Sequence, residues 1–219
     1  MALRAVPDGD ERDQDVANAI RYAVDNGAHI INMSFGKSYS PFKSVVDEAV
    51  LHAAEHGVLI VHAAGNDASD VDEEPSYPTR YMSSGASPGN WIEVGASSWE
   101  GAGSLAAPFS NYSQRTVDVF APGVEIRSTV PDDGYEGLQG TSMAAPVVSG
   151  LAALLMAYYP QLGAEEVKRV ILESSTRFDD QMVALPGSEG ARVRFGDLSA
   201  TGGIINVYSA LEMAERLSR

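Results

Sequence analysis

The residue types that could do chemistry are concentrated in one string, Gly140-Thr-Ser-Met-Ala-Ala-Pro-Val-Val-Ser-Gly150. Residues 141–158 are apolar on nearly every side, which predicts a buried helix starting at Thr141. Ser142 then stands where free backbone N–H groups and the positive helix end face outward. A serine hydroxyl that attacks a carbonyl raises an oxyanion beside its own N–H, so the position suits acyl transfer. Gly140 admits a close approach by another chain. Ala144 and Ala145 permit tight packing beneath. An isolated Thr-Ser pair before an apolar helix would read as a helix cap and nothing more.

The elements that must hold this serine alternate. Apolar residues at Val16, Ala19, Ile20, Ala23 and Val24 fall on one helical face, stopped by Gly27. His29-Ile-Ile-Asn-Met-Ser is a short β-rich run, expected to be a buried strand. Ser40-Pro41 predicts a helix start, with Ser40 as cap, Pro41 in the first position and Gly57 as the stop. Strands follow at 58–64 and 91–95. Leu3–Val6 could form another. Strand–helix–strand repetition with apolar strands predicts an α/β fold, a parallel sheet covered by helices on both faces. Further helices are expected at 164–174 and after Asn206, which should cap the last one. Residues 179–203 are expected to be an irregular excursion.

The eleven-residue string closely resembles the nucleophile motif of the subtilisin-like serine peptidases (subtilases). Ala63-Ala-Gly-Asn66 resembles the family's oxyanion-hole segment, and Ile31-Asn-Met-Ser-Phe-Gly36 its substrate-binding strand. Ser76-Tyr-Pro-Thr-Arg-Tyr81, Phe109-Ser-Asn-Tyr-Ser113, Val119-Phe-Ala-Pro-Gly-Val124 and Gly202-Gly-Ile-Ile-Asn-Val207 follow in the family's order. The resemblance implies a subtilisin-like three-layer αβα fold with a mostly parallel sheet. It implies Ser142 as nucleophile, Asn66 as oxyanion donor, and Ser34, Phe35, Gly36, Ala63, Ala64 and Gly65 as substrate-binding residues. Removing such an Asn donor from a subtilisin lowers turnover about 10²–10³-fold. Residues 179–203 and 85–90 look like insertions.

The same resemblance exposes a gap. A serine nucleophile needs a base and an orienting carboxylate, which subtilisins supply upstream in the order Asp, His, Ser. The family's Asp-(Ser/Thr)-Gly and His-Gly-Thr strings do not occur in this sequence. His29 and His62 fall in predicted strands. His52 and His56 share one helix face beside Glu55, a surface pair. No base is assigned. The chain thus reads as residues 1–219 of the C-terminal portion of one catalytic domain whose N-terminal strands are missing. The N-terminal part of the same domain is its expected partner. An exposed sheet edge would invite a homodimer or strand exchange. The implied function of a full-length parent is a secreted or cell-envelope serine endopeptidase acting on polypeptides. No cofactor is certain and no metal ligand is assigned; calcium is conceivable in the parent, and a weak cation site near Thr79 and Tyr81 is conceivable here. The alternative is a non-catalytic peptide- or partner-binding domain on a degenerate scaffold. An α/β-hydrolase is excluded by chain order, since no histidine follows His62.

Composition narrows the rest. A net charge of −15 disfavours nucleic acid and anionic lipid as partners. The acidic runs at 8–15 and 67–74 are expected to be solvated loops. The absence of cysteine excludes disulfides, thiol nucleophiles and thiolate metal sites. The first residues, Met1-Ala-Leu-Arg-Ala-Val, have no apolar core of a signal peptide, and no membrane span is expected. One outcome follows from the missing base. A fluorophosphonate probe should label Ser142 of the 219-residue chain only at background rate, read by mass spectrometry; fast stoichiometric labelling would refute the gap.

Overall fold

The computed structural model describes residues 1–6, 8–9, 11–99 and 101–219, the side chain of residue 102 excepted. Its main sheet has six strands in the order β1 (Ile30–Met33), β2 (Leu59–Ala63), β3 (Trp91–Ser97), β4 (Val119–Pro122), β10 (Gly203–Ile204) and β7 (Thr176–Arg177). All neighbours from β1 to β10 run parallel, and only β7 is antiparallel. Every residue of β2 and β3 is buried, as strands covered on both faces must be.

Alternation along each strand divides the core. Leu59, Val61, Ala63, Ile92, Val94 and Ala96 face α3 (Thr141–Tyr158), α4 (Ala164–Glu173) and α5 (Val207–Leu217). Ile60 and Trp91 face α1 (Asp13–Asp25) and α2 (Lys43–Glu55). α3 is long and apolar enough to cross a membrane by composition. Here Ala144, Ala145, Val148, Leu151, Ala152 and Leu155 are buried against the sheet instead. Truncating Leu151 or Leu155 to Ala in such a site costs about 2–5 kcal/mol.

Several expectations need correction. β1 is an edge rather than a buried strand: it pairs with β2 alone, and Asn32 is exposed. Residues 3–6 form no strand; Leu3 and Ala5 line an apolar groove of about 460 Å³ between α1 and β1. α3 is not covered all round, because Ala153, Met156 and Ala157 border a surface depression beside Ile30. α2 starts at Lys43 with Phe42 as its N-cap; Ser40 is drawn off to Asp13 instead. Residues 179–203 are ordered by a hairpin of β8 (Met182–Ala184) and β9 (Arg192–Arg194). Val183, Phe195 and Leu198 sink from this segment onto Phe120. A second hairpin, β5 (Ile126–Val130) with β6 (Gly134–Leu138), is largely exposed and gave no clear alternation in the sequence. Asn206 caps α5 as expected, its Oδ1 accepting from Ser209 N at 3.0 Å.

The acidic run at 8–15 is not simply solvated; its Asp10 lies outside the described residues. Asp13 is 4% exposed. It accepts from Ser40 Oγ at 2.8 Å and from Phe42 N at 2.7 Å, and it pairs with Lys37 Nζ at 2.7 Å. Burial pushes its carboxyl up, but the hydrogen bonds from Lys37, Phe42 and Ser40 outweigh that and hold it below the ordinary aspartate range. Its stabilising effect is therefore complete above about pH 4 and is lost as pH falls through the lower folded value. Asp13→Asn should flatten the acid limb of stability measured by urea denaturation against pH. Asp13→Ala should cost about 2–4 kcal/mol, because Lys37 and the Phe42 amide lose their partner.

Candidate active site

Ser142 lies in the first turn of α3, and it is not the cap. Gly140 is the N-cap, with φ 147°, a region that favours glycine. Ser142 Oγ donates to Ser34 O at 3.0 Å, and Ser34 Oγ donates back to Ser142 O at 2.9 Å. Two reciprocal bonds thus clasp the helix start to the chain leaving β1. Among the described residues, the Ser142 N–H makes no hydrogen bond.

Asn66 stands across from it, three residues beyond β2. Its Oδ1 accepts from Thr141 N at 2.9 Å and Thr141 Oγ1 at 3.0 Å. A backbone N–H can only donate, so this contact fixes which end of the amide is oxygen. The Asn66 NH₂ is left as the free end, on an exposed side chain. Thr141 Oγ1 also accepts from Gly65 N at 3.1 Å. The loop is held from behind by Asn111, which is 1% exposed. Asn111 Oδ1 accepts from Asp67 N at 2.9 Å and Ser69 N at 3.1 Å, and its Nδ2 donates to Ala64 O at 2.9 Å. Gly65 is needed here: at φ 105° a side chain would sit 2.3 Å from Asn111 Nδ2.

A cleft of about 760 Å³ joins these parts, and Ser34, Phe35, Gly36, Ala63, Gly65, Asn66 and Ser142 all line it. Ala64 does not. It is fully buried beneath, in the cluster of Phe120 and Phe195. Lys37 N donates to Tyr77 O at 2.9 Å and Tyr77 N to Lys37 O at 2.8 Å, which anchors the far end of the 34–37 segment.

Among the described residues, no histidine bonds to Ser142. His52 Nε2 meets Asp25 at 3.0 Å, and His56 Nδ1 meets His52 O at 2.8 Å, so this pair stays on the helix surface. His62 is fully buried and engaged elsewhere. The corner at Thr79 and Tyr81 does not fit a bound cation, because the Lys43 ammonium already lies on Tyr81 O at 2.6 Å and on Asp47 at 2.6 Å. The 67–74 run is only partly a solvated loop: Asp72 pairs with Arg115 at 2.9 Å.

The family model of the subtilases matches residues 1–194. The chain belongs to the subtilase family. Among its relatives, the thermophilic serine proteinase of Bacillus sp. (strain AK1) is 42% identical over 156 residues, covering 71% of this chain and 35% of that protein. Subtilisin DY of Bacillus licheniformis is 35% identical over 166 residues, covering 75% of this chain and 56% of that protein. The fold matches that of the patellamide maturation protease PatA at a TM-score of 0.72 and 28% identity, over 95% of this chain and 71% of that one. The prenylagaramide maturation protease PagA matches at 0.72 and 28%, over 96% and 70%. This subtilase chain spans between a third and somewhat over half the length of the curated relatives it matches.

Sequence reasoning missed Asn111 and Thr141 as scaffolding. Their signal was polarity, Asn111 within the largely polar Phe109-Ser-Asn-Tyr-Ser113 and Thr141 at the start of the otherwise apolar α3. Asn111→Ala should cost about 3 kcal/mol in urea denaturation, since three backbone groups, one buried and two partly buried, lose their partner at once.

Proposed function

We propose that this chain carries the nucleophile and oxyanion hole of a serine endopeptidase, with base and orienting acid supplied from outside these 219 residues. The observation that supports it most is the convergence of the Ser142 hydroxyl, a free Ser142 N–H and the free Asn66 amide on one cleft. Ser142 Oγ attacks the scissile carbonyl of an extended peptide and gives its proton to the external base. The oxyanion is held by Ser142 N–H and Asn66 Nδ2. The C–N bond then breaks, the amine leaves with the proton, and water hydrolyses the acyl-enzyme. Ser34–Gly36 pairs with the substrate backbone, as in strand addition. The supplied part is the N-terminal portion of the same catalytic domain, seated along the β1 edge; a second copy of the chain is the other occupant of that edge. Residues 179–203 are an insertion in this scheme. A secreted or envelope location is part of this proposal and rests on family membership alone.

A specific observation favours the second reading, a non-catalytic binding domain, for the chain by itself: Ser142 Oγ is engaged by Ser34 O and by no imidazole. The two readings separate in the longer protein. There Ser142→Ala should abolish peptide hydrolysis with an unchanged circular dichroism spectrum, and Asn66→Ala should lower kcat about 10²–10³-fold. Hydrolysis that survives Ser142→Ala, or a longer protein with no hydrolysis at all, would remove the endopeptidase reading.

A further inference from the structure

His62 is a fully buried titratable group that the proposed chemistry does not use. It sits on β2 directly opposite Glu93 of β3, on the sheet face turned towards α1 and α2. Its Nδ1 lies 2.8 Å from Glu93 Oε1, and its Nε2 lies 2.9 Å from Phe35 O. Glu93 is fixed in turn. Its Oε2 accepts from Trp91 Nε1 at 2.6 Å, and its own N–H donates to Asp118 at 2.7 Å. The Trp91 ring leans on the imidazole with centroids 5.1 Å apart.

The protons in this unit can be counted. A carbonyl only accepts, so Nε2 must carry a hydrogen. A second proton must lie between Nδ1 and Oε1, because two bare acceptors do not face each other at that distance in a buried site. The imidazole is thereby locked in one orientation, with Nε2–H aimed at Phe35.

Phe35 belongs to the segment that lines the cleft. In an extended chain, the peptide groups of successive residues point to opposite edges. Phe35 O points inward to His62, and Lys37 is pinned inward by Tyr77. Ser34 O therefore points the other way, where Ser142 Oγ reaches it. Gly36 also points outward, and among the described residues its N–H and C=O make no hydrogen bond. We propose that His62, oriented by Glu93, is a positioning residue that holds the Phe35 carbonyl and so presents the Ser34 and Gly36 edge to an extended peptide. The peptide part rests on the proposed function; the orientation of the segment does not.

The test uses the full chain with two readouts: anisotropy of a fluorescent extended peptide, and amide hydrogen exchange. His62→Leu should weaken peptide binding roughly tenfold or more and speed exchange of the Lys37 amide, which donates to Tyr77 O, by a similar factor, because the hydrogen bond that holds the neighbouring Phe35 carbonyl is lost. Exchange in the Asn66 loop should stay unchanged. Glu93→Gln should behave almost as the parent, since the amide NH₂ can donate to Nδ1 while its oxygen keeps Trp91. If His62→Leu fails to fold, His62→Gln decides, because its amide can still donate to Phe35 O. Retained exchange protection of the Lys37 amide in that variant supports the role, and its loss overturns it. A folded His62→Leu whose Lys37 amide exchanges at the parent rate also overturns it. If the parent binds no peptide, the peptide-binding reading fails, while the exchange readout still decides the role of His62.

Discussion

One oxygen atom ties the start of α3 to the loop that follows β2. Asn66 Oδ1 takes both donors of Thr141. A helix begins with backbone N–H groups that have no partner inside the helix, and here one of them is spent on docking rather than on water. The rest of the site depends on this contact. It turns the Asn66 NH₂ outward, seats Gly140 in a conformation that favours glycine, and lets Thr141 Oγ1 receive Gly65 N. The parallel sheet makes it available, because β1 and β2 release their carboxyl ends at the same edge.

Behind the cleft, the polar groups between sheet and helices are joined rather than scattered. Asp118 pairs with Arg80 at 2.8 Å and lies 3.6 Å from Lys168. Arg80 also reaches Thr116 O. Burial holds Lys168 below the usual lysine range, with Arg80 adding to the effect and Asp118 opposing it. Burial also works against the charge of Arg80, but Asp118 more than offsets it and raises the guanidinium. Buried ion pairs of this kind add little net stability, and removing one partner is costly. Their effect here is geometric, since Asp118 also holds the Glu93 backbone.

The parts legible in the sequence were those with local causes. α1, α4 and α5 announced themselves by 3.6-residue periodicity and by Gly27 or Asn206 at an end. The strings that hold Ser142 and Asn66, which the fold brings to one cleft, stood out because they are short and contiguous. What failed was decided by distant partners. Ser40 looked like a cap, but a carboxylate on another helix took its hydroxyl. Asp13 looked solvated because its three partners lie 24 or more positions away in the chain. Ile30 and Ile31 looked buried, yet burial of a strand depends on its neighbours rather than on its own residues. His62 and Glu93 were invisible as a pair, since only the β2–β3 register makes them face each other.

The clasp between Ser142 and Ser34 has one more implication. The hydroxyl rests on a carbonyl of the outward edge, which is where the backbone amide of an extended chain would arrive. On the proposed reading, the serine is parked on its own docking rail. Incoming backbone and resting nucleophile then bid for the same acceptor, so occupancy of the cleft and freedom of the serine rotamer are coupled through a single oxygen.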